Sequence, residues 1–254
     1  MKYLAFDTES TGFPYNKERL CELNPAVIPH IIQLSCVLFN ETGKILELYN
    51  TFIKIPTKIP DFITDLTGIH QYHVDNYGVS IETALQRALE IFKQADILVA
   101  HNIGFDLRML FLELWRLKEK EKDEEEKDEE DEEESWIDEF DDLLETKNVY
   151  CTMHSTTAYC NIIRTNCRGF TFVKVPKSIE LYEILFGNLP QNIQTHNAII
   201  DTLMCMRCFC KYELKIDVEE YDFFMEKYSK LVGRNMVTRS MTKEMDKKRK
   251  FSEI

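Results

Sequence analysis

No apolar run in the 254 residues approaches the roughly 20 that a membrane span requires. The N-terminus, Met1-Lys2-Tyr3, lacks the apolar core of a secretory signal and leads straight into strand-like sequence. Eight cysteines in a chain of this length are too sparse for a disulfide-built scaffold. These absences predict a reduced intracellular setting, cytoplasmic or nuclear, with free thiols and no membrane. No internal repeat is visible either. Cys205, Cys208 and Cys210 lie close together but have no second group at matching spacing, which argues against structural zinc.

What is present is a sizeable core and a very uneven charge. Apolar residues make up 44% of the chain, enough for one large domain. The net charge is −13, yet residues 118–145 alone hold 18 acids against 4 bases, so the remainder is close to neutral. A uniformly acidic surface would argue against a nucleic-acid partner. Here the repulsion is confined to one low-complexity stretch, expected to be a disordered or fraying-helical insertion over about 118–145.

Periodicity supplies the elements. Residues 3–6 form an apolar strand running into Asp7 and Glu9. Residues 31–39 and 45–53 read as a hairpin across Asn40-Glu41-Thr42-Gly43. Ser80 caps an amphipathic helix, residues 97–100 form a buried strand, and 107–117 form a helix. A strand near 149–152 precedes helical sequence from Met153. A helix over 178–186 stops at Gly187, and another runs from about 195 to 212. A further helix is expected over 221–231, within a helical extension spanning 213–232. A disordered tail, 233–254, follows and contains Lys247-Lys248-Arg249-Lys250.

Side chains alternate along a strand, so Asp7 and Glu9 leave the same face roughly 6.5–7 Å apart. Two carboxylates in a dry site repel each other, and a hard divalent cation such as Mg²⁺ or Mn²⁺ is the common remedy. Asp106 opens a helix after a buried strand, and Asp201 sits in the last strong helix. Each acid alone is equally compatible with a capping or solvated role. His196, five residues before Asp201, cannot share its helix face. It can join the acids only from the loop ahead of that helix.

Asp7-Thr8-Glu9-Ser10-Thr11-Gly12, Val99-Ala100-His101-Asn102-Ile103-Gly104-Phe105-Asp106 and His196-Asn197-Ala198-Ile199-Ile200-Asp201 resemble three known motifs. They are those of the DnaQ-like 3′→5′ exonucleases of the DEDDh type, and the resemblance covers about residues 2–212. Leu66-Thr67-Gly68-Ile69 and residues 181–187 resemble secondary signatures of the same family. The resemblance implies an α/β, RNase H-like fold: a mixed five-stranded sheet flanked by helices. It implies two Mg²⁺ ions, with Mn²⁺ as a substitute, held by Asp7, Glu9, Asp106 and Asp201, and His196 as general base. The expected reaction releases nucleoside 5′-monophosphates from the 3′ end of DNA or RNA, in proofreading or end trimming. By the same resemblance Thr8, Gly12 and Phe13 would hold the terminal nucleotide. Leu66 and Ile69 would wedge the last bases, and Asn102 and Phe105 would line that edge. The partner implied is a single-stranded or frayed nucleic acid with a 3′ end, alongside a polymerase or other replication or repair protein. Two rival readings stand beside this one: a non-catalytic nucleic-acid or protein-binding module with the acidic segment as docking arm, and an RNA-specific trimming exoribonuclease.

Overall fold

β1 (Lys2–Ser10) is buried on both sides along its first half, with Leu4 and Phe6 facing one way and Tyr3 and Ala5 the other. That is the pattern of a strand at the centre of a covered sheet. A computed structural model of the chain describes residues 1–13, 28–125, 135–188 and 195–218. In it β1 pairs antiparallel with β2 (Ile31–Asn40), which pairs antiparallel with β3 (Ile45–Phe52). On its other edge β1 runs parallel to β4 (Ile97–Ala100), and β4 runs parallel to β5 (Asn148–Cys151). The sheet is therefore mixed and five-stranded, in the order β3-β2-β1-β4-β5.

Helices cover both faces. Leu4, Phe6, Leu34 and Leu98 pack against α3 (Ile81–Gln94), α4 (Ile103–Glu125) and α5 (Trp136–Thr146), with α1 (Asp61–Thr67) and α2 (Gln71–Tyr77) preceding them in the chain. Ser80 caps α3 by accepting the Thr83 N–H, and Ala84, Leu85, Ala88 and Phe92 point inward. Phe6, Phe92 and Phe140 make successive edge-to-face contacts through this layer. The opposite face buries Tyr3, Ala5, Val37 and Val99. Two short helices, α6 (Thr152–Ser155) and α7 (Thr157–Cys160), and a hairpin of β6 (Ile162–Thr165) and β7 (Thr171–Lys174) follow β5. Next comes α8 (Ser178–Phe186), and α9 (Ala198–Phe209) lies across that second face through Ile199, Leu203, Met206 and Phe209.

Several expectations are corrected. The helix expected over 107–117 starts at Ile103 and continues to Glu125, and Trp136–Thr146 is a helix that buries Ile137, Phe140 and Leu144. The acidic low-complexity stretch is thus flanked by ordered structure on both sides, because a few apolar residues at helical spacing anchor α5 despite five acids around them. α9 begins at Ala198, leaving His196 and Asn197 ahead of it, and ends in a π-helical turn at Cys210–Leu214. The helix expected over 221–231, the extension beyond 218 and the tail lie outside the described residues. Among the described residues no helix is long and apolar enough to cross a membrane.

Candidate active site

The same alternation that builds the core delivers the acids. Tyr3, Ala5, Asp7 and Glu9 share the α9 face of β1, so the strand turns from apolar to acidic as it emerges from the core. Asp201, in the first turns of α9, meets them there. One carboxylate oxygen from each of Asp7, Glu9 and Asp201 lies within 4.8 Å of the others, and all three side chains are partly buried. Asp106 arrives from the other side of the strand, in the first turn of α4, and is 2% exposed. It falls outside that 4.8 Å group. Its Oδ1 accepts the Thr8 backbone N–H at 2.9 Å and the Thr8 hydroxyl at 2.8 Å.

Electrostatics describe a site short of positive charge. Burial, and then the charges of Asp106, Asp201 and Glu9, push the Asp7 carboxyl well above its usual range. Burial and the charges of Asp201 and Asp106 do the same to Glu9. Burial raises Asp106 to about 7 against the two Thr8 hydrogen bonds, and raises Asp201 to about 6 against the opposing charge of His196. No Lys or Arg among the described residues pairs with any of the four. A divalent cation fits this donor set: hard oxygens, close together, with no Lys or Arg partner among the described residues.

His196 precedes α9 in a left-handed conformation (φ 60°), and its side chain is exposed. Its neighbour Asn197 donates its backbone N–H to Asp201 Oδ2 at 3.1 Å. This local bond ties the His196 loop to the carboxylate it accompanies.

The expected substrate contacts divide. Phe13 is 81% exposed and meets Phe105 edge-to-face, with centroids 6.4 Å apart. Leu66 is largely exposed, and Asn102 is exposed in a left-handed conformation (φ 65°). Gly12 is partly buried, and among the described residues a Cβ there would meet Pro29 at 3.7 Å. Two of these residues are turned inward. Thr8 is buried and its hydroxyl is committed to Asp106, because an even position on β1 faces α4. Ile69 is 1% exposed in a small core with Ile32, Ile59, Ile63 and Val74, so it is packing, not a wedge surface.

Sequence reasoning missed a polar row beneath the acids. Ser35 lies opposite Asp7 and Gln33 opposite Glu9 on β2, so both share the acidic face. Gln33, 1% exposed, accepts the Ala198 N–H at 3.1 Å and donates to Asn50 Oδ1 at 3.0 Å. Ser35 Oγ and both side-chain polar atoms of Asn197 are buried without a partner among the described residues. The signal was present as polar residues at period two inside the apolar run Ile31-Ile32-Gln33-Leu34-Ser35-Cys36-Val37.

Comparison with known proteins finds exonuclease likeness in the N-terminal half of the chain. The exonuclease family model RNase T matches residues 4–127, from β1 through α4 and so across Asp7, Glu9 and Asp106. Over residues 4–127, just under half of its length, the chain is similar to the DnaQ-like exonucleases. Among curated relatives, the PolC-type DNA polymerase III of Mycoplasmopsis pulmonis is 35% identical over 109 residues, 43% of this chain. That of Thermotoga maritima is 35% identical over 113 residues, 44% of the chain. The matched segment spans only 7% of the length of either polymerase. Escherichia coli exonuclease I in complex with a dA16 oligonucleotide superposes with a TM-score of 0.52 at 13% identity, covering 87% of this chain and 42% of that one. A 3′-exonuclease that recognises the histone mRNA stem-loop gives 0.52 at 16% identity, covering 83% and 80%. These likenesses establish the RNase H-like fold.

Proposed function

We propose that this protein hydrolyses phosphodiester bonds from the 3′ end of a nucleic-acid strand, releasing nucleoside 5′-monophosphates. The observation that carries the reading is the convergence of Asp7, Glu9 and Asp201 from two distant segments, with Asp106 buried just behind. The exonuclease family model matched over residues 4–127 and the PolC-type relatives support it.

Asp7, Glu9 and Asp201 would hold the divalent cations, Mg²⁺ or Mn²⁺, with Asp106 completing the acidic set. Such cations, when bound, stabilise charge on the phosphoryl oxygens and acidify the attacking water. The carboxylates fix where that water and the phosphate can sit. Thr8 holds Asp106 in one rotamer from two directions. His196, exposed ahead of α9, takes the proton from the attacking water, the task an imidazole performs best at neutral pH. Phe13 and Phe105 offer an aromatic edge on which a terminal base can stack without being identified. Such stacking suits an end trimmer that accepts any base. A polymerase or repair protein as partner, by analogy with the PolC-type relatives, fits the same reading.

The test is shortening of a 5′-labelled oligonucleotide in Mg²⁺ and in EDTA, on matched DNA and RNA strands. Ladders that retreat from the 3′ end only with metal are expected. Asp7→Asn should lower the rate at least ~10³-fold, and His196→Ala should lower it ~10²-fold or more while strand binding persists. Near wild-type cleavage by Asp7→Asn would refute the assignment.

A further inference from the structure

Residues 146–179 contain no Asp or Glu, although the chain has 44 acids, and they include Lys147, Arg164, Arg168, Lys174 and Lys177. Within this window the β6–β7 hairpin stands apart from the five-stranded sheet as a separate two-stranded ribbon. Its apolar side chains are turned outward: Phe170 is 68%, Ile163 63% and Phe172 49% exposed. Two strands alone are marginal in water, and an exposed aromatic surface on them calls for a covering partner.

The ribbon is nonetheless well formed. Asn166 Oδ1 accepts the N–H groups of Arg168 and Phe170, the Asn166 N–H donates to the Phe170 carbonyl, and Gly169 takes the left-handed conformation (φ 81°) that closes the turn. Arg164 lies directly opposite Phe172, so a guanidinium and an aromatic ring share one face. Lys174 is already bound to Glu180, whereas no acid among the described residues pairs with Arg164 or Arg168. At its root, the Pro176 carbonyl lies 3.1 Å from His101 Nε2, and His101 lies just ahead of α4, the helix that carries Asp106.

We infer that the β6–β7 hairpin is a docking platform for single-stranded nucleic acid, with Arg164 and Arg168 on phosphates and Phe170 and Phe172 under bases. It rests on the nucleolytic reading and extends it: the hairpin would grip the strand away from the bond being cut. Exposed aromatics interleaved with unpaired cations suit a polyanion bearing flat bases, and the missing acids remove the repulsion found elsewhere on the chain. An acidic protein partner would use the cations but gain less from the rings.

The test uses the full chain in EDTA, so that no strand is consumed, with a 5′-fluorescein 20-nucleotide single strand followed by anisotropy across a salt series. Arg164→Ala/Arg168→Ala should raise Kd about tenfold or more and reduce the slope of log K against log salt by about 1.4, two phosphates at ~0.7 each. Phe172→Ala should raise Kd about tenfold with the slope unchanged. Unaltered Kd and slope in the double variant, or no binding by the wild type, would overturn the platform. The p-nitrophenyl ester of thymidine 5′-monophosphate, too short to reach the hairpin, isolates the chemistry. The double variant should hydrolyse it at the wild-type rate, and a slower rate would place the arginines at the acidic site instead. If the wild type itself leaves the ester and every strand intact in Mg²⁺, the nuclease reading fails while the anisotropy still judges the hairpin.

Discussion

Thr8 illustrates how one residue serves two faces of a strand. Its backbone keeps Asp7 and Glu9 on the α9 side, while its hydroxyl and N–H both reach Asp106 on the α4 side. Thr8→Val keeps the shape and removes one of those two bonds. A hydrogen bond to a charged acceptor contributes about 1.5–3 kcal/mol. The Asp106 carboxyl, already raised to about 7, should rise further, so its charged form becomes scarcer at neutral pH. The expected outcome in Mg²⁺ titrations is a several-fold higher half-saturating concentration at pH 7 that narrows at pH 8.5. An unchanged requirement at pH 7 would show that Asp106 does not contribute to holding the ion. Glu113, by contrast, shows a buried carboxylate that is neutralised by the protein itself. Burial favours its neutral form, yet hydrogen bonding from His30 and the charges of Arg116 and His30 bring its pKa below the usual value. Among the described residues no Lys or Arg pairs with the four site acids, and burial outweighs the hydrogen bonds and the His196 charge that two of them do have.

At the level of elements, the start of α9 is what brings the third carboxylate to the strand, and Gln33 holds that start. Gln33→Met preserves bulk but leaves the Ala198 N–H and the Asn50 side chain without their partner. The cost should be about 1–3 kcal/mol. We expect a lower melting temperature and a several-fold fall in kcat with KM little changed, since Asp201 and His196 shift while the exposed stacking residues do not. A fall in melting temperature with kcat intact would make Gln33 purely structural. Why this link was not legible in the sequence is physical: a glutamine in a β-run declares its face, but not which distant helix end it will cap. The strands and long helices were legible because burial imposes periods of 2 and 3.6, as in β1, α3 and α8. α1 and α2 are seven residues each, too short for a period to register, and Thr8 and Ile69 looked accessible only because motif position says nothing about which way a side chain turns.

For the whole molecule, folding gathers four carboxyls that each prefer water. Asp106 and Asp201 rise to about 7 and about 6, and Asp7 and Glu9 rise well above their usual range. Around neutral pH the metal-free folded state therefore binds more protons than the unfolded chain. The site's contribution to stability is full below the unfolded carboxyl values, near pH 4, and is lost as pH rises through 6 to 7. In EDTA, scanning calorimetry should record a lower melting temperature at pH 8 than at pH 6, and millimolar Mg²⁺ should restore most of the difference at pH 8. A melting temperature in EDTA that is flat over this range would contradict the raised values.

α4 carries Asp106 near one end and finishes at Glu125, and at 1.5 Å per residue that separation is about 28 Å. Ionic atmosphere at physiological strength dampens a field over ~8 Å, so more than three such lengths lie between the far end of the rod and Asp106. The helix thus works as a spacer: the acidic end of α4, up to Glu125, is kept too distant to turn away a phosphate backbone arriving at the sheet edge. Shortening the rod by whole turns would shrink that gap, and slowed capture of substrate in dilute buffer, recovered by added potassium chloride, would be its signature.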